Sequence, residues 1–272
     1  MPFGKIFIPL QYLPINKQQI FIKMKKYVFV SLCFAFSFSV FGQDIHFSQY
    51  DLTPLIINPA QAGAYRPLEA IINYKSQWTS ITPDAYKPMM LSYDPRLMEK
   101  KWKNKWLAPG INLFNDKAGD GNMKTMQVNL SIGYHTQIND NSILGAALMG
   151  GFAQRSIDYS KLVFDDQYIN GVDMHTSVST SEPAVGHNKL SYPDFGAGIL
   201  YQYKKGEMYA RANDMRIIRT GIAITHVNSP QYAFYGNEKL YMKITGHADA
   251  MIVIKNTNFS VVPGLIYAKQ GP

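Results

Sequence analysis

The stretch Met126-Gln127-Val128-Asn129-Leu130-Ser131-Ile132-Gly133-Tyr134-His135-Thr136-Gln137 decides the fold. Its even positions are apolar up to Thr136, and its odd positions are polar or glycine throughout. A backbone whose side chains alternate every two residues therefore turns one face to grease and the other to water. The same alternation sets Phe195, Ala197, Ile199, Tyr201 and Tyr203 against Asp194, Gly196, Gly198 and Gln202. It also sets Ile244, Gly246, Ala248, Ala250, Ile252 and Ile254 against Lys243, Thr245, His247 and Asp249. Runs of this length with aromatics near their ends fit the tilted strands of an outer-membrane barrel better than the shorter strands of a soluble β-sandwich. Alternation alone leaves that sandwich open. No run of roughly 18 apolar residues follows residue 42, so the later chain holds no transmembrane helix.

Reading the punctuation around such runs predicts nine strands, near residues 68–76, 88–94, 107–115, 123–138, 142–154, 192–204, 215–227, 241–255 and 258–268. Their connections alternate in size. Residues 138–141 and 256–257 are tight turns and 205–214 is moderate, whereas 155–191 and 228–240 are long, as in a barrel with short periplasmic turns and long outer loops. Residues 94–106 are the exception, a long connection on the short-turn side. It carries Lys100-Lys101-Trp102-Lys103-Asn104-Lys105-Trp106 and reads as a solvated basic turn with two interfacial tryptophan anchors. Nine strands leave an open edge, whereas single-chain bacterial barrels have an even strand number and lipid leaves unpaired backbone groups unsatisfied. The fold class expected is an all-β antiparallel outer-membrane barrel, C-terminally truncated in this chain.

Before the strands comes a leader. Lys23, Lys25 and Lys26 precede the apolar run from Tyr27 to Gly42, with small side chains at Val40 and Gly42, which is the composition of a cleaved secretory signal peptide. Met24 opens that signal, so residues 1–23 are expected to be an upstream extension, 24–42 the signal peptide, 43–67 an N-terminal arm and 68–272 an incomplete barrel. Residues 1–42 hold five of the 27 basic residues and no acid, leaving 22 basic against 19 acidic and a net charge of +3 rather than +8. A nucleic-acid partner, which needs clustered positive charge, loses its main support. The single cysteine, Cys33, lies in the apolar run, so the exported chain has no thiol, disulfide or cysteine metal site.

The arm Gln43 to Tyr65 is rich in glutamine and aromatics and interrupted by Pro54 and Pro59. Its pattern is Gln43-Asp44, Phe47-Ser48-Gln49-Tyr50, Pro54-Leu55, Asn58-Pro59-Ala60 and Ala62-Gly63. With Tyr74-Lys75-Ser76-Gln77-Trp78, Phe114 to Gly121, Gly151 to Asp158 and Phe164-Asp165-Asp166-Gln167-Tyr168, this strongly resembles the PorP/SprF proteins of the type IX secretion system of Bacteroidetes. Asp51 stands where the family pattern usually has an apolar residue, and the chain ends earlier than family members generally do. The resemblance implies an outer-membrane barrel, with no catalytic residues. It would work with other secretion subunits to help surface cargo, such as gliding adhesins, leave the cell or stay attached to it. The arm is expected to lie in the periplasm or enter the lumen, with Pro54 and Pro59 removing ladder donors and Gly63 allowing a sharp turn into the first strand. Phe47, Gln49, Tyr50, Pro54, Asn58, Pro59 and Gly63 are its candidate docking residues. Phe164, Asp165, Asp166, Gln167 and Tyr168 are the candidate cargo-facing residues, because loops on a rigid scaffold carry recognition.

Other chemistry finds less support. The six histidines never fall at metal-ligand spacing. Asp116, Asp120 and Asn122 could hold calcium in a glycine-containing loop, but lack the later bidentate glutamate of an EF-hand and read as a solvated hairpin. No G-x-S-x-G accompanies His135 or His247, which weakens a barrel hydrolase. A diffusion channel is the stronger rival, because Gln127, Asn129, Ser131, Gly133, His135 and Gln137 would line a polar lumen with Lys243, Thr245, His247 and Asp249. The partners expected are outer-membrane lipid, other secretion subunits and secreted cargo. No cofactor or metal is expected.

Overall fold

The computed structural model describes residues 50–271 except 81, 83–84, 120, 163, 170–172, 175–187, 207, 210–211, 214, 235, 255–256 and 258. The leader, Phe47 and Gln49 therefore lie outside the described residues, as does much of the long outer loop. Where the alternating sequence predicts strands, strands form: β1 (Leu68–Tyr74), β2 (Met89–Pro95), β3 (Lys105–Ala118), β4 (Met123–Asn139) and β5 (Ser142–Ser156). The short pair β6 (Tyr168–Ile169) and β7 (Asp173–Met174) sits in the loop that follows. The chain continues as β8 (Lys189–Lys205), a second short pair β9 (Met208–Tyr209) and β10 (Ala212–Asn213), then β11 (Arg216–Thr225), β12 (Lys243–Val253), β13 (Ser260–Val261) and β14 (Gly264–Gln270). Ten of these form one antiparallel sheet, ordered β1-β2-β3-β4-β5-β8-β11-β12, with β13 and β14 both on β12. The strand predicted over 258–268 is broken at Val262 and Pro263, because proline has no N–H for the ladder; the Pro263 carbonyl still accepts from Ala250.

The connections fall at two ends. By strand direction the chain passes between β2 and β3, β4 and β5, β8 and β11, and β12 and β14 at one end, and between β1 and β2, β3 and β4, β5 and β8, and β11 and β12 at the other. The tight turn at 119–122 therefore departs from the expected division, since it sits among the long loops. Asp116 is not part of that loop. It belongs to β3, and its Oδ1 accepts the Thr125 N–H at 2.9 Å. Among the described residues no histidine, cysteine or acidic cluster could hold a metal.

The two faces of the sheet are inverted relative to a water-soluble fold. Met126, Leu130, Ile132, Leu148, Phe152, Phe195, Ile199 and Ile222 stand exposed on the outer face, with Leu148 exposed by 72%. Asn112, Asn129, Ser131, His135, Asp194, Thr245 and His247 are buried on the inner one. No described helix is long and apolar enough to cross a membrane.

The sheet also curls. Strand neighbours lie about 4.8 Å apart, so eight ladder steps would separate β1 from β14 by roughly 38 Å in a flat sheet. Leu68 to Ile71 of β1 and Gly264 to Ile266 of β14 nevertheless line one cavity of about 830 Å³. The described residues show no ladder across this seam, so a closed barrel is not observed. Every pairing from β1 to β14 is antiparallel, so the two edge strands run the same way.

Charge placed on the outer face should report what surrounds it. On a water-exposed surface Leu148→Arg would change stability by less than about 0.5 kcal/mol. In lipid we expect it to cost about 2–4 kcal/mol near the midplane, measured by denaturant unfolding from vesicles. A neutral result would place this face in water.

Candidate functional site

The inner face is made of small residues where the arm lies over it. Ala108 and Gly110 of β3, Gly133 of β4, Gly145 and Ala147 of β5, Gly196 and Gly198 of β8, and Gly221 and Ala223 of β11 all point inward by strand parity. Glycine inside a strand weakens it but lets another backbone approach closely. Residues 53–65 make that approach.

After the 3-10 turn Tyr50–Leu52, the arm runs through two further helical turns, in which the prolines are helix starts rather than ladder breakers. Pro54 opens the single turn Pro54–Ile57 and Pro59 opens the 3-10 turn Pro59–Gln61. Both prolines occupy first-turn positions, where the missing N–H would have had no intrahelical partner. Asn58 closes the first turn by donating its N–H to Pro54 O at 3.0 Å, and opens the second as its N-cap, with Oδ1 accepting the Ala60 N–H at 2.9 Å.

That cap bond fixes the rest of the site. With Oδ1 committed to Ala60, the Asn58 amide must present Nδ2 to the wall, where it meets Ile199 O at 2.9 Å, Ile222 O at 3.5 Å and His247 Nε2 at 3.1 Å. An amide nitrogen only donates, so His247 Nε2 must carry its lone pair and the ring proton must sit on Nδ1. Gln61 Nε2 approaches the same ring nitrogen at 3.2 Å. His135 has the opposite polarity: its Nε2 lies 2.8 Å from Ala62 O, and a carbonyl only accepts, so this nitrogen is the donor. One histidine therefore receives the arm's side chains and the other grips its backbone.

The lower end of the arm is held at Gly63. Its N–H donates to Asp94 Oδ2 at 2.7 Å, and its carbonyl accepts from Arg96 Nε at 2.6 Å and Trp106 Nε1 at 3.1 Å. Arg96 also donates to Ala64 O at 2.9 Å and lies 4.4 Å over the Trp106 ring, which stacks on His135 at 5.3 Å. Gly63 turns here with φ of +58°, in the left-handed region that glycine tolerates, and a Cβ at this position would overlap Ala108. Trp106 is thus 4% exposed inside the fold, correcting its assignment as an interfacial anchor. Strand parity explains the error: Trp106 shares its face with Ala108 and Gly110, while Leu107, Pro109 and Ile111 face outward.

Two apolar clusters complete the packing, Leu55 and Ala62 with Trp106 and Ala108, and Ala60 and Ala64 with Ala147 and Leu200. Tyr65 lies under the Arg219 guanidinium, 4.6 Å from its ring. Burial pushes its hydroxyl above the ordinary phenol range, with Arg219 pulling the other way. Arg219 Nε is 2.7 Å from Asp249 Oδ2 but misaligned for a hydrogen bond, so that contact is Coulombic. Tyr50 opens the described arm at the seam, close to Gly264. Beside Leu55 and Ile56 the inner face leaves a cavity of only about 40 Å³, lined by Asp194, His226 and Lys243 among others. Asp194 is occupied on both oxygens, by His226 Nδ1 at 2.9 Å and Gln127 Nε2 at 3.2 Å.

The residues matched to the PorP/SprF pattern, type IX secretion system membrane proteins, are 39–272. The chain belongs to the PorP/SprF family. It is accordingly a membrane protein of the type IX secretion system, and the family is not an enzyme family. No curated protein sequence matches it.

Of the candidate docking residues of this PorP/SprF chain, the structure brings Pro54, Asn58, Pro59 and Gly63 onto the inner wall, with Tyr50 at the seam. The candidate cargo-facing residues lie elsewhere, in the loop after β5. Asp165–Gln167 form a 3-10 turn in which Gln167 is buried and its Oε1 accepts the Phe164 N–H at 3.0 Å, and Tyr168 begins β6. Gln61, Asp94, Arg96 and the two gripping histidines were missed. The signal that could have found them is the set of glycines at inward strand positions.

A Cβ at Gly198 would overlap Asn58 Oδ1, and one at Gly221 would crowd both His247 and Asn58. We expect Gly198→Ala to displace the arm, exposing the peptide bonds around Leu55 to protease while the strands stay protected; an unchanged digestion pattern would refute the fit. For His247, we expect Phe to cost about 1–3 kcal/mol by removing the acceptor that the Asn58 and Gln61 amides share. Gln, which supplies an acceptor oxygen, should retain most of that. Equal losses in denaturant unfolding would show that accepting these bonds is not what His247 contributes.

Proposed function

We propose that this chain is an outer-membrane β-barrel component of the type IX secretion system, supporting secretion or surface attachment of cargo such as gliding adhesins. The observation that carries the reading is the inverted sheet of a secretion-family membrane protein, apolar outward and polar inward, with its own arm seated on the inner face. A structure that spans lipid with strands must satisfy every edge, and β1 and β14 run the same way. Export by a cleaved signal peptide fits the basic and apolar leader, residues 24–42.

The arm supports a scaffold over a diffusion channel. The arm occupies part of the inner space, beside the cavity at the seam, and Asn58, Ala62 and Gly63 tie it to the wall by hydrogen bonds. Arm residues Phe47, Gln49 and Tyr50 would extend that docking toward neighbouring subunits, and the Phe164–Tyr168 region would meet cargo. In host cells lacking the endogenous gene, we expect the wild-type gene to restore surface cargo. An Asp165→Ala, Asp166→Ala double variant should reach the membrane normally but restore less of that cargo. If surface cargo is normal without the gene and small-solute uptake falls instead, the channel reading replaces this one.

A further inference from the structure

The β2–β3 connection, residues 96–104, is held in a defined shape. Lys101 and Trp102 donate their N–H groups to Met98 O at 3.0 and 2.9 Å, Leu97 and Leu107 exchange backbone bonds, and Asn104 O accepts from Gln137 at 2.8 Å. This shape turns Trp102 edge-on to Tyr134, ring centroids 6.5 Å apart, and Tyr134 belongs to the outer, apolar face of β4. Leu97, Met98 and Trp102 remain exposed by 47, 45 and 38%, and the exposed Lys100, Lys101, Lys103 and Lys105 surround them. The loop's acid does not neutralise these lysines. Glu99 is paired with Arg96 at 2.9 Å, and the other Arg96 donors are committed to Gly63 O and Ala64 O.

We propose that this turn is a binding surface for anionic phospholipid headgroups, with Leu97, Met98 and Trp102 at the hydrocarbon boundary and Lys100, Lys101 and Lys103 against the phosphates. Tryptophan and tyrosine settle at the headgroup level, and each lysine near an anionic bilayer adds favourable attraction. The position of Trp102 favours lipid over an acidic protein, because it rests on the same face that carries the apolar band. The inference rests on the membrane placement argued above.

The test uses the mature chain in phosphatidylcholine bilayers containing about a fifth phosphatidylglycerol, with bromine on the acyl chains of one lipid or the other. Quenching of Trp102 is isolated by difference from Trp102→Phe; Trp106 is buried and Trp78 lies at the opposite end of the sheet. At equal mole fraction, brominated phosphatidylglycerol should quench Trp102 at least about twofold more than brominated phosphatidylcholine. The excess should vanish in the Lys100→Gln, Lys101→Gln, Lys103→Gln variant, and in the wild type at high salt. Equal quenching by both lipids overturns the headgroup preference and leaves an acidic polypeptide as the partner of the turn. No quenching by either would also remove Trp102 from the bilayer, and the membrane placement with it.

Discussion

Asn58 donates through one amide nitrogen to two neighbouring strands and a histidine on a third, and this contact anchors the arm to the inner face. Its side chain can lie there only because Gly198 and Gly221 present no Cβ. Its orientation holds only because the cap bond to Ala60 consumes the oxygen. His247, with its ring proton on Nδ1, then has one role available at Nε2, to accept. A single polar side chain thus joins β8, β11 and β12 to the arm, in a place where a soluble protein would have put a leucine.

The need for such a device follows from the inversion of the sheet. With its large apolar side chains facing outward, the sheet has no conventional core between its strands, and the polar groups it turns inward need partners. The arm answers both needs at once. Its Leu55, Ala60, Ala62 and Ala64 pack against Trp106, Ala108, Ala147 and Leu200, while its backbone and amide groups engage Asp94, Arg96, Trp106, His135 and His247. The small inward residues that weaken individual strands are what let this layer approach the wall.

Much of the fold was legible because strand alternation is a local property. The run 126–137 fixed both the strand and its inward face, and β5, β8 and β12 follow the same logic within a few residues at their ends. Pro263 divided the last predicted strand through a missing donor, a signal present but not weighed. Trp106 was misplaced because its basic neighbours suggested an interface, although its parity with Ala108 already pointed inward. The helical turns of the arm were legible too, in Thr53 before Pro54 and Asn58 before Pro59, but the prolines were read as interruptions rather than as helix starts. What no local reading could supply is the meeting of Asn58 with His247 across 189 residues of sequence. That contact depends on the curl of the whole sheet, and so does the seam, whose existence the strand count anticipated and whose location only the three-dimensional arrangement reveals.

The arm is a structural layer of the fold rather than a loose leader to it. Hydrogen exchange of the arm in bilayers tests this most directly, because the N–H groups of Asn58, Ala60, Gln61, Ala62, Gly63 and Ala64 are each bonded inside the fold. The account predicts that peptides covering 53–65 exchange as slowly as those from β4 and β5. Complete exchange of the arm within seconds, while the strands stay protected, would contradict it.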